Sequence, residues 1–232
     1  MTKIGIIGAM ELEVETLKNR MTVAKATKKA GMEFVEGTLG NANVVIVRSG
    51  VGKVNAGVCV QILCDVFEVT HIVNTGVAGS LNAKLDIGEI IVSTDLIHHD
   101  VDATIFGYAL GEVPQLGRRE FVADEKMVSL AVAACEEVNP GLPVTTGRIV
   151  SGDQFIASKD VKKKLIENFA ADCCEMEGAS IAHAATLNEV PFVIIRAISD
   201  KADDSAEMDY PTFERQAAEH CAKITENFVQ RL

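Results

Sequence analysis

Apolar residues fall into two rhythms along this chain, short unbroken runs and stripes at helical spacing, and the two alternate. Lys3 to Gly8 is a run of the kind buried on both faces of a sheet. After it, Met10, Val14, Leu17 and Met21 recur at steps of three and four, which predicts a helix. Phe34 to Leu39 and Asn43 to Arg48 read as a hairpin about Gly40-Asn41, and Val51 to Val66 as a helix of small residues able to lie close on a sheet. His71 to Asn74 is a strand running into Thr75-Gly76-Val77-Ala78-Gly79, Gly88 to His99 is β-rich, and Val101 to Gly117 is a loop of glycines and aromatics. Asp124 is placed to cap a helix that runs to Val138, and a break at Asn139 to Pro143 precedes a strand from Val144 to Val150. Helices follow at Lys159 to Phe169 and Met176 to Leu187, then a strand from Pro191 to Ile198 that ends at Ser199-Asp200. A closing helix puts Phe213, Ala217, Cys221, Ile224 and Phe228 on one side. This alternation predicts an α/β fold, and without a repeat or linker residues 1–232 are expected to form a single domain.

Charge narrows the partners. With 22 basic against 33 acidic side chains the formal net charge is -11, so phosphate backbones and anionic membranes are repelled. The six cysteines form no C-x-x-C pair and sit in apolar contexts, a usage that suits a reducing cytoplasm. No stretch approaches the roughly 20 apolar residues of a membrane span, and the apolar start runs at once into acidic residues, unlike a signal peptide.

The candidate chemistry is carboxylate chemistry. Asp200 lies just past the carboxyl end of a buried strand, where open α/β sheets hold their ligands, and Glu175 and Glu177 are spaced to reach the same pocket. Glu11, Glu13 and Glu15 all suit the positive end of a helix dipole, but Glu13 lies nearest the stripe of Met10 and Leu17 and is the one expected to face inward. Phe106, Tyr108 and Pro114 in a glycine-containing loop, and Phe155 and Ile156 after Ser151-Gly152-Asp153-Gln154, suggest cover for a flat apolar ligand. Other chemistries fit poorly. Arg48 to Lys53 lacks phosphate-loop spacing, Gly5 to Gly8 is no dinucleotide fingerprint, and no G-x-S-x-G elbow is present. His98, His99, Asp100 and Asp102 point to opposite faces if they stay extended, which disfavours a metal site, and His183 reads as a packed or surface histidine.

Five motifs in order carry a resemblance. Gly5-Ile6-Ile7-Gly8-Ala9-Met10-Glu11-Leu12-Glu13, Asn74-Thr75-Gly76-Val77-Ala78-Gly79, Val150-Ser151-Gly152-Asp153-Gln154-Phe155-Ile156, Glu175-Met176-Glu177 and Arg196-Ala197-Ile198-Ser199-Asp200 together resemble the bacterial 5′-methylthioadenosine/S-adenosylhomocysteine nucleosidases of the nucleoside phosphorylase superfamily. The resemblance implies a three-layer α/β/α sandwich about a mixed, partly barrel-like sheet, a homodimer, and cofactor-free cleavage of an N-glycosidic bond that releases adenine. By it, Asp200 donates a proton to adenine N7, Glu13 activates water, and Glu177 grips the ribose hydroxyls. Phe155 stacks on the base, the Ile156 backbone meets its edge, Met10 and Met176 line the ribose, and Ser199 belongs to the same substrate contacts. Arg196 helps Glu13 position the water, Tyr210 stands at an aromatic lid position, and Phe106 and Tyr108 reach over the neighbouring subunit's thioether tail. Val77 departs from the pattern, standing where many members have serine, so a hydroxyl that would hold water or ribose is missing. That leaves open the preference among adenosine thioethers and 6-amino-6-deoxyfutalosine, and keeps a non-catalytic nucleoside-binding module in view. A phosphorylase is disfavoured, because related phosphorylases resemble Arg-x-Gly-Ser/Thr-Cys-Gly where this chain has Asn74 to Gly79, and Glu13 would repel phosphate.

Overall fold

Strand β1 (Ile4–Gly8) is buried along its whole length and leads into α1 (Glu11–Arg20), as the opening run and stripe require. The computed structural model describes residues 2–232, leaving the Met208 side chain aside. β2 (Thr22–Lys29), β3 (Met32–Leu39) and β4 (Ala42–Arg48) form an antiparallel meander, and α2 (Lys53–Asp65) returns the chain to β5 (His71–Ser80). β6 (Ile90–His98) and the two-residue β7 (Phe121–Val122) flank the long loop, which holds only a short 3-10 turn at Thr104–Phe106. α3 (Glu125–Val138), β8 (Val144–Ser151), α4 (Lys159–Phe169), β9 (Cys173–Glu175), α5 (Gly178–Leu187), β10 (Phe192–Asp200) and α6 (Ala206–Val229) complete the chain. Asp124 caps α3 as expected, its carboxylate accepting from the Met127 N–H at 2.9 Å.

The sheet closes on itself at one end. β10 pairs parallel with β5 and antiparallel with β6, so β5, β10, β6, β8 and β9 form a mixed five-stranded barrel. β1, β4, β3 and β2 continue from β5 as an open sheet. Alternate residues of β1, β4 and β10 enter different cores. Ile4, Ile6, Val44, Ile46, Val193 and Ile195 pack toward α1, α3 and α6, whereas Ile7, Val45, Val47 and Ile194 pack toward α2 and α5. The result is the three-layer α/β/α sandwich with a partly barrel-like sheet expected from the resemblance. Among the described residues no helix is long and apolar enough to cross a membrane.

Three strands have no counterpart in the sequence reading. β2, Thr22–Lys29, is an edge strand exposed at almost every position, so it carries no apolar rhythm and is held by its ladder to β3. β7 and β9 span two and three residues, too short for any period to show.

Candidate active site

The ends of β1, β5, β8, β9 and β10 meet around an open cleft of about 570 Å³. Its lining includes Met10 and Glu13 from the start of α1, Val77 from β5, Phe155 and Ile156 after β8, Met176 and Glu177 after β9, Ser199 and Asp200 from β10, and Tyr210 from α6. Ten of the expected site residues thus come together. Arg196 is brought to the site from below: it is 1% exposed and lies beneath the carboxylates, outside the lining. Phe106 (80% exposed) and Tyr108 stand apart from this chain's own cleft.

Glu13 reaches inward from the first turn of α1, while Glu11 and Glu15 are exposed, as the stripe argument required. Its Oε2 accepts from the N–H groups of Ala9 (2.6 Å) and Met10 (2.9 Å), and its Oε1 from the Val77 N–H at 3.2 Å. The main chain of Val77 therefore holds Glu13 whatever side chain stands there. Burial pushes the Glu13 carboxyl up from its ordinary value, against the nearby Arg196 charge and these three donors. Gly76 makes the close approach possible: a Cβ there would stand 2.4 Å from Glu13 Oε1 and 2.7 Å from Arg196 Nη1.

Asp200 ends β10 and is 2% exposed. The Ser199 hydroxyl donates to its Oδ2 at 2.9 Å and the Ala202 N–H to its Oδ1 at 2.8 Å. Burial outweighs both donors and raises its pKa, with Asp209 and Asp203 adding like charge. Glu177 stands at the N-cap position of α5 with its side chain turned away from the helix, its Oε1 accepting from the Gly52 N–H at 2.7 Å. Burial, with Glu175 beside it, pushes Glu177 up to about 8, against Arg196 and the Gly52 donor. At the mouth, the Phe155 and Tyr210 rings meet edge to face at 5.5 Å, and the Tyr210 hydroxyl donates to Met10 Sδ at 3.3 Å.

Glu175 is the residue whose part the sequence left unread. It points down rather than toward a ligand, taking Arg196 Nη2 at 2.5 Å, the Gly178 N–H at 2.7 Å, the Glu177 N–H at 3.0 Å and the Ser151 hydroxyl. Burial alone would push it up, yet Arg196, Ser151 and Gly178 together hold its carboxyl below the ordinary value. Arg196 also donates to Asn74 Oδ1, so a buried ion pair underlies the cleft, held through Arg196 Nη2 while Nε has no hydrogen-bond partner among the described residues. A carboxylate three residues before a helix that starts at glycine was the available signal. The histidine and aspartate cluster disperses: His98 Nε2 lies 3.3 Å from His183 Nδ1, while Asp100 pairs with Lys53 and Asp102 with Thr104.

What the arrangement offers chemically is a cleft lined by Glu13, Glu175, Glu177 and Asp200 and, among the described residues, by no cationic side chain. Three of the four, Glu13, Glu177 and Asp200, are raised by burial, the setting in which carboxyl groups exchange protons near neutrality.

The model of the phosphorylase superfamily matches residues 3–230, which sets the class. A 5′-methylthioadenosine/S-adenosylhomocysteine nucleosidase of Bacillus velezensis is 38% identical over 234 residues, covering 99% of each chain. The crystal structure of the Neisseria meningitidis enzyme of that name, in complex with methylthio-immucillin-A, superimposes with a TM-score of 0.97 at 38% identity, covering 100% of both chains. A futalosine hydrolase of Helicobacter pylori is similar too, with a TM-score of 0.94, 33% identity and coverage of 100% of this chain and 98% of that one. Within the superfamily, the chain belongs to the 5′-methylthioadenosine/S-adenosylhomocysteine nucleosidases, purine nucleosidases by class.

Proposed function

We propose that residues 1–232 act as one nucleosidase domain that hydrolyses the N-glycosidic bond of 5′-methylthioadenosine and S-adenosylhomocysteine, releasing adenine and the 5-thioribose product. The observation that carries this reading is the meeting of Glu13, Glu177 and Asp200 on one cleft without a cation in its lining.

The chemistry follows from charge. As the C1′–N9 bond breaks, electrons collect on adenine and the ribose ring becomes cationic. Asp200, whose hold on its proton burial strengthens, gives that proton to N7 so that adenine leaves neutral. Glu177 meets the ribose hydroxyls, and the positive charge growing on the ring favours its ionised form over the protonated one that burial and Glu175 favour in the free site. Glu13 takes a proton from the water that adds to C1′, and its raised pKa makes it a stronger base than a free carboxylate. Arg196 keeps Glu13 and Glu175 compatible in one interior. Phe155 and Tyr210 flank the base and tail, Met10 and Met176 line the ribose, and Ile156 and Ser199 stand at the base end.

Water is favoured over phosphate as the nucleophile. Arg196 is engaged with Glu175 and Asn74, so a phosphate dianion would meet carboxyl groups and no free cation among the described lining residues. We further assign Phe106 and Tyr108 to the partner's cleft in a homodimer, and the protein to the cytoplasm, where methionine-derived thioethers are salvaged. The test is adenine release from 5′-methylthioadenosine by the purified protein with and without phosphate. Equal release is expected. Release only with phosphate would make the protein a phosphorylase, and turnover confined to 6-amino-6-deoxyfutalosine would favour the function named for the Helicobacter pylori neighbour.

A further inference from the structure

A second cleft, of about 840 Å³, opens beside the first and shares Ala9, Met10 and Val51 with it. Its position relative to a bound nucleoside follows from the assignments above. With the base held at Asp200 and the ribose hydroxyls at Glu177, the arm left free is the 5′ substituent. Glu177 is bonded to Gly52, the neighbour of Val51, so the junction of the two clefts begins where the ribose ends. A 5′ tail that passes Met10 and Val51 enters the second cleft.

This cleft is polar where the first is apolar. Arg48 at the end of β4 and Glu11 at the start of α1 both line it, with side chains 55% and 50% exposed. Their closest approach is 3.7 Å, from Arg48 Nε to Glu11 Oε2, too long for a hydrogen bond. No guanidinium nitrogen of Arg48 has a hydrogen-bond partner among the described residues, whereas Glu11 Oε1 accepts from Lys18 Nζ at 2.9 Å and leaves Oε2 open. Gly50 lines the same cleft with a φ of 85°, and a Cβ there would stand 3.1 Å from the Asn55 amide nitrogen. A cation and an anion side by side, each with an unused face and reached along the path of the 5′ tail, match a ligand that ends in both charges.

We propose that Arg48 and Glu11 bind the amino-acid end of a nucleoside thioether, Arg48 taking the α-carboxylate and Glu11 the α-ammonium. The pair thereby sets the preference for the homocysteine-bearing substrate over the methylthio one. A guanidinium fork suits a carboxylate, and one opposite charge beside it suits the ammonium. The inference rests on the hydrolytic reading above and adds a specificity site to it.

The test is steady-state kinetics on both substrates for wild type and Arg48→Gln. For S-adenosylhomocysteine, KM is expected to rise about five- to tenfold with kcat nearly unchanged, the size of one solvent-exposed charge-assisted contact. Both constants for 5′-methylthioadenosine stay within about twofold, as that substrate has no charge for Arg48 to meet. Raising the salt to about 0.5 M should raise the wild-type KM for S-adenosylhomocysteine alone. A third probe, 5′-(3-aminopropylthio)adenosine, keeps the ammonium and lacks the carboxylate, so its KM should not respond to Arg48→Gln. Equal changes on both natural substrates, or none, overturn the inference while leaving the hydrolytic reading standing. A wild type that releases no adenine from 5′-methylthioadenosine overturns that reading and this inference with it.

Discussion

Asp200 and Glu13 have opposite duties, one to hold a proton and one to take it, and burial shifts both in the same direction. The acid must be protonated, so kcat/KM is lost as pH rises through the raised pKa of Asp200; the base must be ionised, so it is also lost as pH falls through the raised pKa of Glu13. A bell displaced above the ordinary carboxylate range is expected, and in Asp200→Asn the residual rate should lose its alkaline limb. Asp200→Asn and Glu13→Gln should each lower kcat by about 10²–10⁴ in an adenine-release assay, with circular dichroism unchanged. Glu177 gives a different readout. Its folded pKa, about 8, lies above the ordinary value of 4.5. The stability it contributes is therefore present below the unfolded value and lost as pH rises through about 8, because the folded state binds the extra proton. The melting temperature of Glu177→Gln should gain on that of wild type by roughly 5 °C between pH 5 and pH 9, read by differential scanning fluorimetry. These three carboxylates were legible in the sequence because each sits at an element end that the apolar pattern fixes. Glu175 was legible as a cleft residue but its pairing was not, since its partners Arg196 and Ser151 come from strands distant in sequence, and only the closed barrel brings them under it.

Helix α1 carries Glu13 and strand β5 receives it, and the fit between them depends on what is missing at position 76. Gly76→Ala adds a methyl group to the space of the Glu13 carboxylate and the Arg196 guanidinium. The carboxylate must swing off its three backbone donors, so kcat should fall at least about tenfold, with a smaller effect on KM. An unchanged kcat in the same assay would show that Glu13 need not lie against β5. At this scale the sequence reading does well for long periodic elements and poorly for the rest. α4 and the β3–β4 hairpin follow their patterns closely because α4 buries one apolar stripe and β4 is buried on both faces. β2 escapes because both of its faces are wet, so its place is decided by backbone pairing alone.

The barrel closure is a property of the whole chain, and no local pattern announces it: β10 has to find both β5, more than a hundred residues earlier, and β6. The layered class was visible from alternating strands and helices, but the ring that gathers five element ends into one cleft was reached only through the resemblance. Assembly is the next level up. Ile105 and Phe106 are 87% and 80% exposed on a loop that does not line this chain's cleft. If they serve a partner's site, light scattering should give twice the chain mass of 24.8 kDa, and Phe106→Ala should raise KM for 5′-methylthioadenosine about tenfold while Asp200-dependent chemistry persists. A monomer with full activity would refute that assignment. The anionic cleft also bears on what a cell can tolerate. Adenosine 5′-monophosphate differs from the thioethers in carrying a phosphate ester at the 5′ position, which in the pose proposed above would enter the throat of Met10 and Val51 in a cleft also lined by Glu13 and Glu177. Like charge and lost hydration turn it away, so an enzyme built to discard spent thioether nucleosides can work among the far more abundant energy-carrying nucleotides without destroying them.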